Sequence, residues 1–273
     1  MPIISILLPT YKNPPYLMRA IRSVTTQSFS DWELIIVDDG LIHERRQAVD
    51  VLAKDDPRII LVSNEGNLGI QKSLNKGLSI ARGMYIARID DDDAWTDTLK
   101  LAEQVQFLDD HHDHVLVGTG AIVVDAEAKE LTKYLLPKDD TLIRKQMLRK
   151  NCFVHSSVLY RRTEAQEVGG YSLEKTALHI EDYDLWLRLG SVGKIHNISS
   201  YAVSFTMHPD SLSAKNKRDQ FRRSIELIRK FKKAYPNYFT SMCIAYARLF
   251  AYTFFNFLPR SFKNKIFQLY KTY

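Results

Sequence analysis

Cysteine is nearly missing from this chain: Cys152 and Cys243 are the only two in 273 residues. They lie far apart and in no metal-binding spacing, which excludes a disulfide framework and fits a reducing compartment. No Gly-x-Gly-x-x-Gly follows the first strand-like run, and Gly-x-x-x-x-Gly-Lys-Ser/Thr occurs nowhere. The dinucleotide and P-loop modes of phosphate binding therefore lack the residues they require. Met1 to Ser5 has no basic region of the signal-peptide type and enters a strand-like run at once, so no export signal is expected. Acids are scarce at one end only. From Lys215 to Tyr273 there are 2 acids against 14 Lys or Arg, whereas residues 1–214 carry 30 acidic and 24 basic residues. The net charge of +6 thus describes an acidic body with a basic tail.

What is present alternates. Ile3–Leu8, Leu34–Val37, Arg58–Val62 and Met84–Ile89 read as strands, because each is a short apolar run of strand length. Between them, Tyr16–Thr26, His43–Ala53 and Ile70–Ala81 have helical spacing, the last stopping near Gly83. Such alternation predicts an α/β fold, with a Rossmann-like, mostly parallel sheet flanked by helices. Beyond it, Leu99–Leu108, Asp139–Leu148 and His179–Leu189 are expected as helices, and Val115–Val124 and Asn151–Tyr160 as strands. The expected domain is residues 1–214, with a nucleotide-binding half of about 1–95 and an acceptor half of about 96–214, followed by a helical tail over 215–273.

Ligands of such sheets lie beyond the C-terminal ends of the strands. Three of these ends carry polar groups suited to a nucleotide: Thr10-Tyr11, Asp38-Asp39 and Asp90 to Asp93. Four adjacent carboxylates repel one another unless a cation neutralises them, and carboxylate, phosphate and water oxygens form the ligand set that Mg²⁺ or Mn²⁺ prefers. A metal bridging protein and diphosphate would replace the missing glycine-rich nest; a solvated acidic turn is the plain alternative. Asp39 can accept the N–H of a base or cap the next segment, and Tyr11 can stack on a base or simply pack. His111, His112 and His114 are consecutive or nearly so and are not expected to converge on one ion. Glu181 and Asp182 stand in the first turn of a helix, where acids are favourable on electrostatic grounds alone. They also provide what group transfer needs, a carboxylate remote from the metal to deprotonate the incoming hydroxyl, and Asp182 is the candidate base.

Several motifs taken in order, Ser5–Tyr11, Ile36–Gly40, Asn67-x-Gly69, Asp90–Asp93 with Trp95, His155–Ser157, Gly169–Tyr171 and Glu181–Leu189, give the chain a clear resemblance to family 2 glycosyltransferases of the GT-A fold, bacterial cell-envelope polysaccharide type, over about residues 3–210. The resemblance implies inverting transfer of a sugar from a nucleotide diphosphate sugar, a UDP-sugar being favoured, to a hydroxyl of a glycan or lipid-linked glycan, with Mg²⁺ or Mn²⁺ as cofactor. It implies that Asp39 reads the base beside Tyr11, that Asp90 and Asp92 form an acid-any-acid motif whose second acid is the principal metal contact, and that Asp93 assists. It further implies Asp182 as the base, Glu181 as a shaper of the acceptor site, and His208, in the segment Met207–Ser213, as a group reaching the metal or diphosphate. Where some relatives place a basic residue after the Asn67-x-Gly69 turn, this chain offers Lys72.

In the tail, Arg218–Lys233 reads as a basic amphipathic helix and Tyr238–Leu258 as an apolar, aromatic one. Arg248 near the middle argues against a transmembrane span, at about 2.5–3.5 kcal/mol on insertion scales. An interfacial helix on an anionic membrane is expected, at the cytoplasmic face of the inner membrane; packing onto the body or a partner subunit is the alternative. Nucleic acid is not expected as a partner, and oligomerisation is left open. A different class of reading, a non-catalytic glycan-binding or scaffold subunit of a polysaccharide assembly complex, is opposed by the acids at both Asp92 and Asp182.

Overall fold

A computed structural model describes residues 1–12, 15–208 and 215–257. Pro209–Ser213 of the expected terminal loop and the stretch after Phe257 lie outside the described residues. In chain order the elements are β1 (Ile4–Lys12), α1 (Leu17–Thr25), β2 (Trp32–Leu41), α2 (His43–Asp55), β3 (Ile59–Ser63), α3 (Ile70–Ile80), β4 (Tyr85–Arg88) and β5 (Ala94–Trp95). They continue with α4 (Lys100–Asp110), β6 (His114–Val124), β7 (Glu130–Tyr134), α5 (Asp140–Met147), β8 (Leu159–Arg161), α6 (Arg162–Glu167), α7 (Glu181–Val192), β9 (Lys194–Thr206), α8 (Lys217–Lys230) and α9 (Tyr238–Phe257).

One nine-stranded sheet runs β3-β2-β1-β4-β8-β6-β9-β5, with β7 on β6. The first four strands are mutually parallel, as the alternation predicts, and β6 and β9 are parallel to each other. The sheet is nevertheless mixed, since β8 is antiparallel to both β4 and β6, while β5 and β7 are antiparallel to β9 and β6. Side chains alternate strictly across it. Ile6, Leu8, Leu34 and Ile36 join α1 and α4 on one face, through Leu17, Ile21, Leu101 and Val105. Leu7, Ile35 and Val37 join α3 and α7 on the other, through Leu74, Leu78, Leu185 and Trp186. Strands buried on both faces must be apolar throughout, which is why these runs show no polar alternation.

The expected strand over Asn151–Tyr160 is corrected: only Leu159–Arg161 pairs in the sheet, and His155–Ser157 forms a 3₁₀ turn. That turn lets Ser156 and Ser157 point inward, both fully buried. Gly83, between α3 and β4, is required by close approach: a Cβ there would stand 2.5 Å from the backbone nitrogen of Ser5.

The tail helices lie on the body. Ile225, Leu227, Ile228, Phe231, Tyr235 and Ala245 share a core with Trp186, each large apolar side chain contributing about 1.5–3 kcal/mol by its burial. Tyr235 donates its hydroxyl hydrogen to the carbonyl of Leu187, 2.9 Å away, and Arg223 bonds the carbonyl of Leu178. Among the described residues no helix is long and apolar enough to cross a membrane.

Candidate active site

The switch in strand order lies at β1, with β2 on one side and β4 on the other, so their C-terminal ends open a crevice. Tyr11 is exposed at the end of β1. A Cβ at Gly40, whose φ is +120°, would come within 3.3 Å of the Tyr11 ring, so the two strand ends close on each other there. Asp38, not Asp39, caps the segment after β2: its Oδ1 accepts the amides of Gly40 (2.8 Å) and Leu41 (2.6 Å). Asp39 is buried and turns to the neighbouring loop, accepting from Asn64 Nδ2 at 2.8 Å and from the amides of Leu68 at 2.7 Å and Gly69 at 2.9 Å. It thereby fixes the Asn67-x-Gly69 turn against the crevice. Lys72 is exposed in the first turn of α3 and makes no hydrogen bond or ion pair among the described residues.

After β4 the four acids have distinct sets of partners, with Ser156 serving both Asp90 and Asp93. Asp90 pairs with the fully buried guanidinium of Arg88, which also bonds the carbonyls of Leu7 and Ile89. Burial pushes the Asp90 carboxyl up, but Arg88, then His155 and Ser156, outweigh it and hold it below its ordinary value. Asp91 Oδ2 accepts from the Thr10 hydroxyl at 2.7 Å; burial and the charge of Asp92 push Asp91 up to about 7. Asp92 Oδ2 lies 3.0 Å from Nε2 of His208, and burial followed by the charge of Asp90 raises it. Asp93 is buried outright, one oxygen on the Ser156 hydroxyl and the other accepting the amide of Thr206 at 2.9 Å. It ties the end of β4 to the end of β9. Arg19 adds a clamp from α1, donating to the carbonyl of Asp92 (2.7 Å) and to the Thr206 hydroxyl (2.6 Å).

Across the crevice, α7 begins at Glu181. Asp182 Oδ2 accepts from Asn151 Nδ2 at 2.7 Å. Burial raises Asp182 to about 6, aided by the charge of Asp90 and opposed by the amide of Tyr183 and by Asn151. Glu181 is more deeply buried, its Oε2 has no hydrogen-bond partner, and burial with the charge of Asp182 carries it up to about 8. The acids of α7 and of β4 thus feel one another across the sheet, although ninety residues separate them in the chain (roughly one domain half).

The structure therefore joins Thr10 to Asp91 and Asp92 to His208, sets Asp182 and Glu181 within electrostatic reach of Asp90, and leaves Lys72 and Asp39 without direct contact to the acids after β4. Arg88, Ser156 and Asn151 carry the site as much as the acids do, and none of them was expected to. Arg88 had a signal: a charge inside an apolar strand run must find a partner or stay out of the core. His111, His114 and His196 gather around Phe107, stacked or edge-on within 4.3–6.1 Å of their neighbours.

The donor set suits a hard divalent cation. Among the described residues no three His, Cys, Asp or Glu side chains form a metal cage, but Mg²⁺-type ions are ordinarily held by one or two carboxylates with substrate phosphates and water. Asp92 with His208, beside carboxylates raised by mutual repulsion, provides that incomplete set.

The family model for Glycosyl transferase family 2 matches residues 5–169. The putative glycosyltransferase EpsE of Bacillus subtilis is 33% identical over 193 residues, covering 70% of this chain and 68% of its own. A UDP-Glc:alpha-D-GlcNAc-diphosphoundecaprenol beta-1,3-glucosyltransferase of Escherichia coli is 29% identical over 234 residues, with 84% and 86% covered. Among solved structures, Staphylococcus aureus TarS in complex with UDP superposes with a TM-score of 0.69 at 17% identity, covering 97% of this chain and 78% of that one. A Pyrobaculum calidifontis mannosyltransferase in complex with GDP-Man and Mn²⁺ gives 0.63 at 19% identity, with 100% and 81% covered.

Proposed function

Because this chain belongs to glycosyl transferase family 2 and has the GT-A fold, we propose that it transfers a sugar, with inversion, from a nucleotide diphosphate sugar to a hydroxyl of a glycan or lipid-linked glycan. The observation that carries this reading is the separation of roles between two acidic groups in one crevice: Asp92 with His208 on one side, Asp182 held by Asn151 on the other. The base of the donor stacks on Tyr11, and Asp39, from behind the Asn67-x-Gly69 turn, shapes the recess that receives it. Thr10 and Asp90 line the diphosphate end, with Lys72 at its rim. Asp92 and His208 would hold Mg²⁺ or Mn²⁺, with Asp93 fixing the strand end behind them, and the ion when bound would neutralise charge on the diphosphate.

Asp182 takes the proton of the acceptor hydroxyl. The freed oxygen forms a bond to the anomeric carbon as the bond from that carbon to the diphosphate oxygen breaks, and the electron pair departs with the nucleoside diphosphate. One displacement inverts the centre. Asn151 orients the Asp182 carboxylate, and Glu181 behind it supplies no second negative charge while it keeps its proton. UDP is the favoured nucleotide, in line with the UDP-Glc named for the Escherichia coli relative, and a lipid-linked acceptor follows the same name.

Membrane apposition belongs to this reading. On α9, Phe239, Tyr246, Phe250 and Phe254 are exposed along one side of the helix, the first at 80% and the third at 72%. Arg222, Arg229, Lys232 and Lys233 are exposed on α8 and just beyond it. Aromatics at headgroup depth with cations against anionic lipid would place the enzyme peripherally at a cytoplasmic membrane face.

Calorimetric titration of the protein with UDP, dTDP and GDP, each with and without Mn²⁺, tests the donor site. Metal-dependent binding of one nucleotide, abolished in Asp92→Asn, is the expected result; no binding by any of the three sinks the donor assignment.

A further inference from the structure

Beside Asp182 lies a cavity of about 270 Å³, walled by the loop from Leu148 to Asn151, the start of α7, and both tail helices. It is below the roughly 300–1,000 Å³ of pockets for drug-sized ligands, a size for one small polar group and its attachment. Its charges are unbalanced. Arg149, Lys150 and Arg248 line it against a single carboxylate, Asp182. None of the three cations has an ion pair to an acid among the described residues. Like charges drawn together without counter-charge set up a field that favours an incoming anion.

Arg248 makes the arrangement specific. It is the one charged residue of α9, and it sits on the side of that helix away from Tyr246 and Phe250. Its Nη1 donates to the carbonyl of Arg149, and Arg149 Nη2 donates to the Thr240 hydroxyl at 3.5 Å, so the helix and the loop are tied at the cavity's rim while each guanidinium keeps further N–H groups for a ligand. Gln220 and Ser224 of α8 add neutral polar groups to the wall.

We propose that this cavity is an anion-binding subsite of the acceptor, taking a phosphoryl or diphosphoryl group while Asp182 meets the hydroxyl that reacts. The inference rests on the reading of Asp182 as the base. Phosphate fits better than carboxylate by charge count: a phosphoryl group carries about −1.5 to −2 near neutral pH, against three cations, and arginine presents the fork that phosphate oxygens match. Two sources share this chemistry, a lipid-linked diphosphate and a phosphate carried on the glycan itself.

The test is calorimetry on the full chain in chelator, which keeps divalent cations from the donor side. The probes are inorganic pyrophosphate, geranyl diphosphate and glucose 1-phosphate, with glucose as the neutral control. The anionic probes are expected to bind, and Arg248→Gln or Lys150→Gln each to weaken them about tenfold, the loss of one charge-assisted hydrogen bond. Arg248→Lys should recover part of that loss, and Lys150→Gln, on an exposed loop, keeps the test open should Arg248→Gln fail to fold. Tighter geranyl diphosphate than pyrophosphate assigns the lipid source; tighter glucose 1-phosphate assigns the glycan source. Absence of binding by all three anionic probes, or displacement of them by UDP, overturns the proposal. The metal-dependent nucleotide titration reads the donor side separately, so either result can fail while the other stands.

Discussion

At the end of β4, four consecutive carboxylates are each met by fixed partners; at the start of α7, Glu181 and Asp182 meet few. Asp90 is kept ionised by Arg88, and Asp93 is spent on Ser156 and Thr206 inside the protein. Asp91 and Asp92 turn to Thr10 and His208. On α7 burial is the largest cause, and with the neighbouring charges it carries Asp182 to about 6 and Glu181 to about 8. The contrast shows two routes to a working acid. At β4 fixed partners hold the carboxylates in place. The start of α7 withholds partners so that a proton can come and go near neutral pH.

The comparison breaks most sharply at Asp182. Asp182→Asn should lower turnover by about 10²–10⁴-fold, the usual contribution of a positioned base, with nucleotide binding unchanged by calorimetry. Joint loss of binding and turnover would give Asp182 a structural role instead. Next is Arg88→Leu, which strands Asp90 without its counter-ion and should cost about 3–5 kcal/mol of stability in urea unfolding, as for a broken buried pair. Adding Asp90→Asn to it should recover part of that cost, since the two act as one unit.

The pH profile sharpens the α7 side. Asp182 must be ionised to accept a proton, so kcat/KM should fall about tenfold per pH unit below about 6. Stopped-assay rates between pH 4.5 and 8 read this limb, and a flat profile would remove Asp182 as the base. Smallest is the effect of Glu181. Its ordinary value of 4.5 is raised to about 8 in the fold, so between these values the folded chain holds a proton that the unfolded chain has released. The stability tied to this proton is fully present below about 4.5 and lost as pH rises through about 8. Glu181→Gln should therefore narrow the difference in Tm between pH 5 and pH 8, and an unchanged difference would mean that Glu181 ionises as it does in the unfolded chain.

Much of the N-terminal half was legible because its physics is local. Strands β1 to β4 and helices α1 to α3 show length, apolar run and punctuation in the sequence, and each lies within a few residues of its expected place. Asp39, Asp90, Asp92 and Asp182 were expected at strand and helix ends, where a parallel sheet exposes its chemistry, and they lie at the ends of β2 and β4 and the start of α7. The later half read less well. β9 is interrupted by Asn197, three serines and a threonine rather than running apolar, and β7 is exposed along its whole length; pairing with β6, not propensity, makes them strands. Asn151 looked like the start of a strand and instead donates to Asp182.

The tail shows the same limit. Its apolar and basic pattern predicted two helices, but the same stripe of Ile225 and Ile228 would suit a membrane or a protein core. Docking against Trp186 settled that face, and it also placed Arg248 over the cavity.

The sequence by itself determined the αβ alternation, the acids at the strand ends and the basic tail, because periodicity and charge are properties of neighbouring residues. Only the tertiary structure decided which of four adjacent acids face the crevice, that Arg88 and Ser156 claim two of them, and that the tail walls the site. Those outcomes depend on which distant groups reach each carboxylate first, and burial makes an unpaired charge too costly to leave to chance.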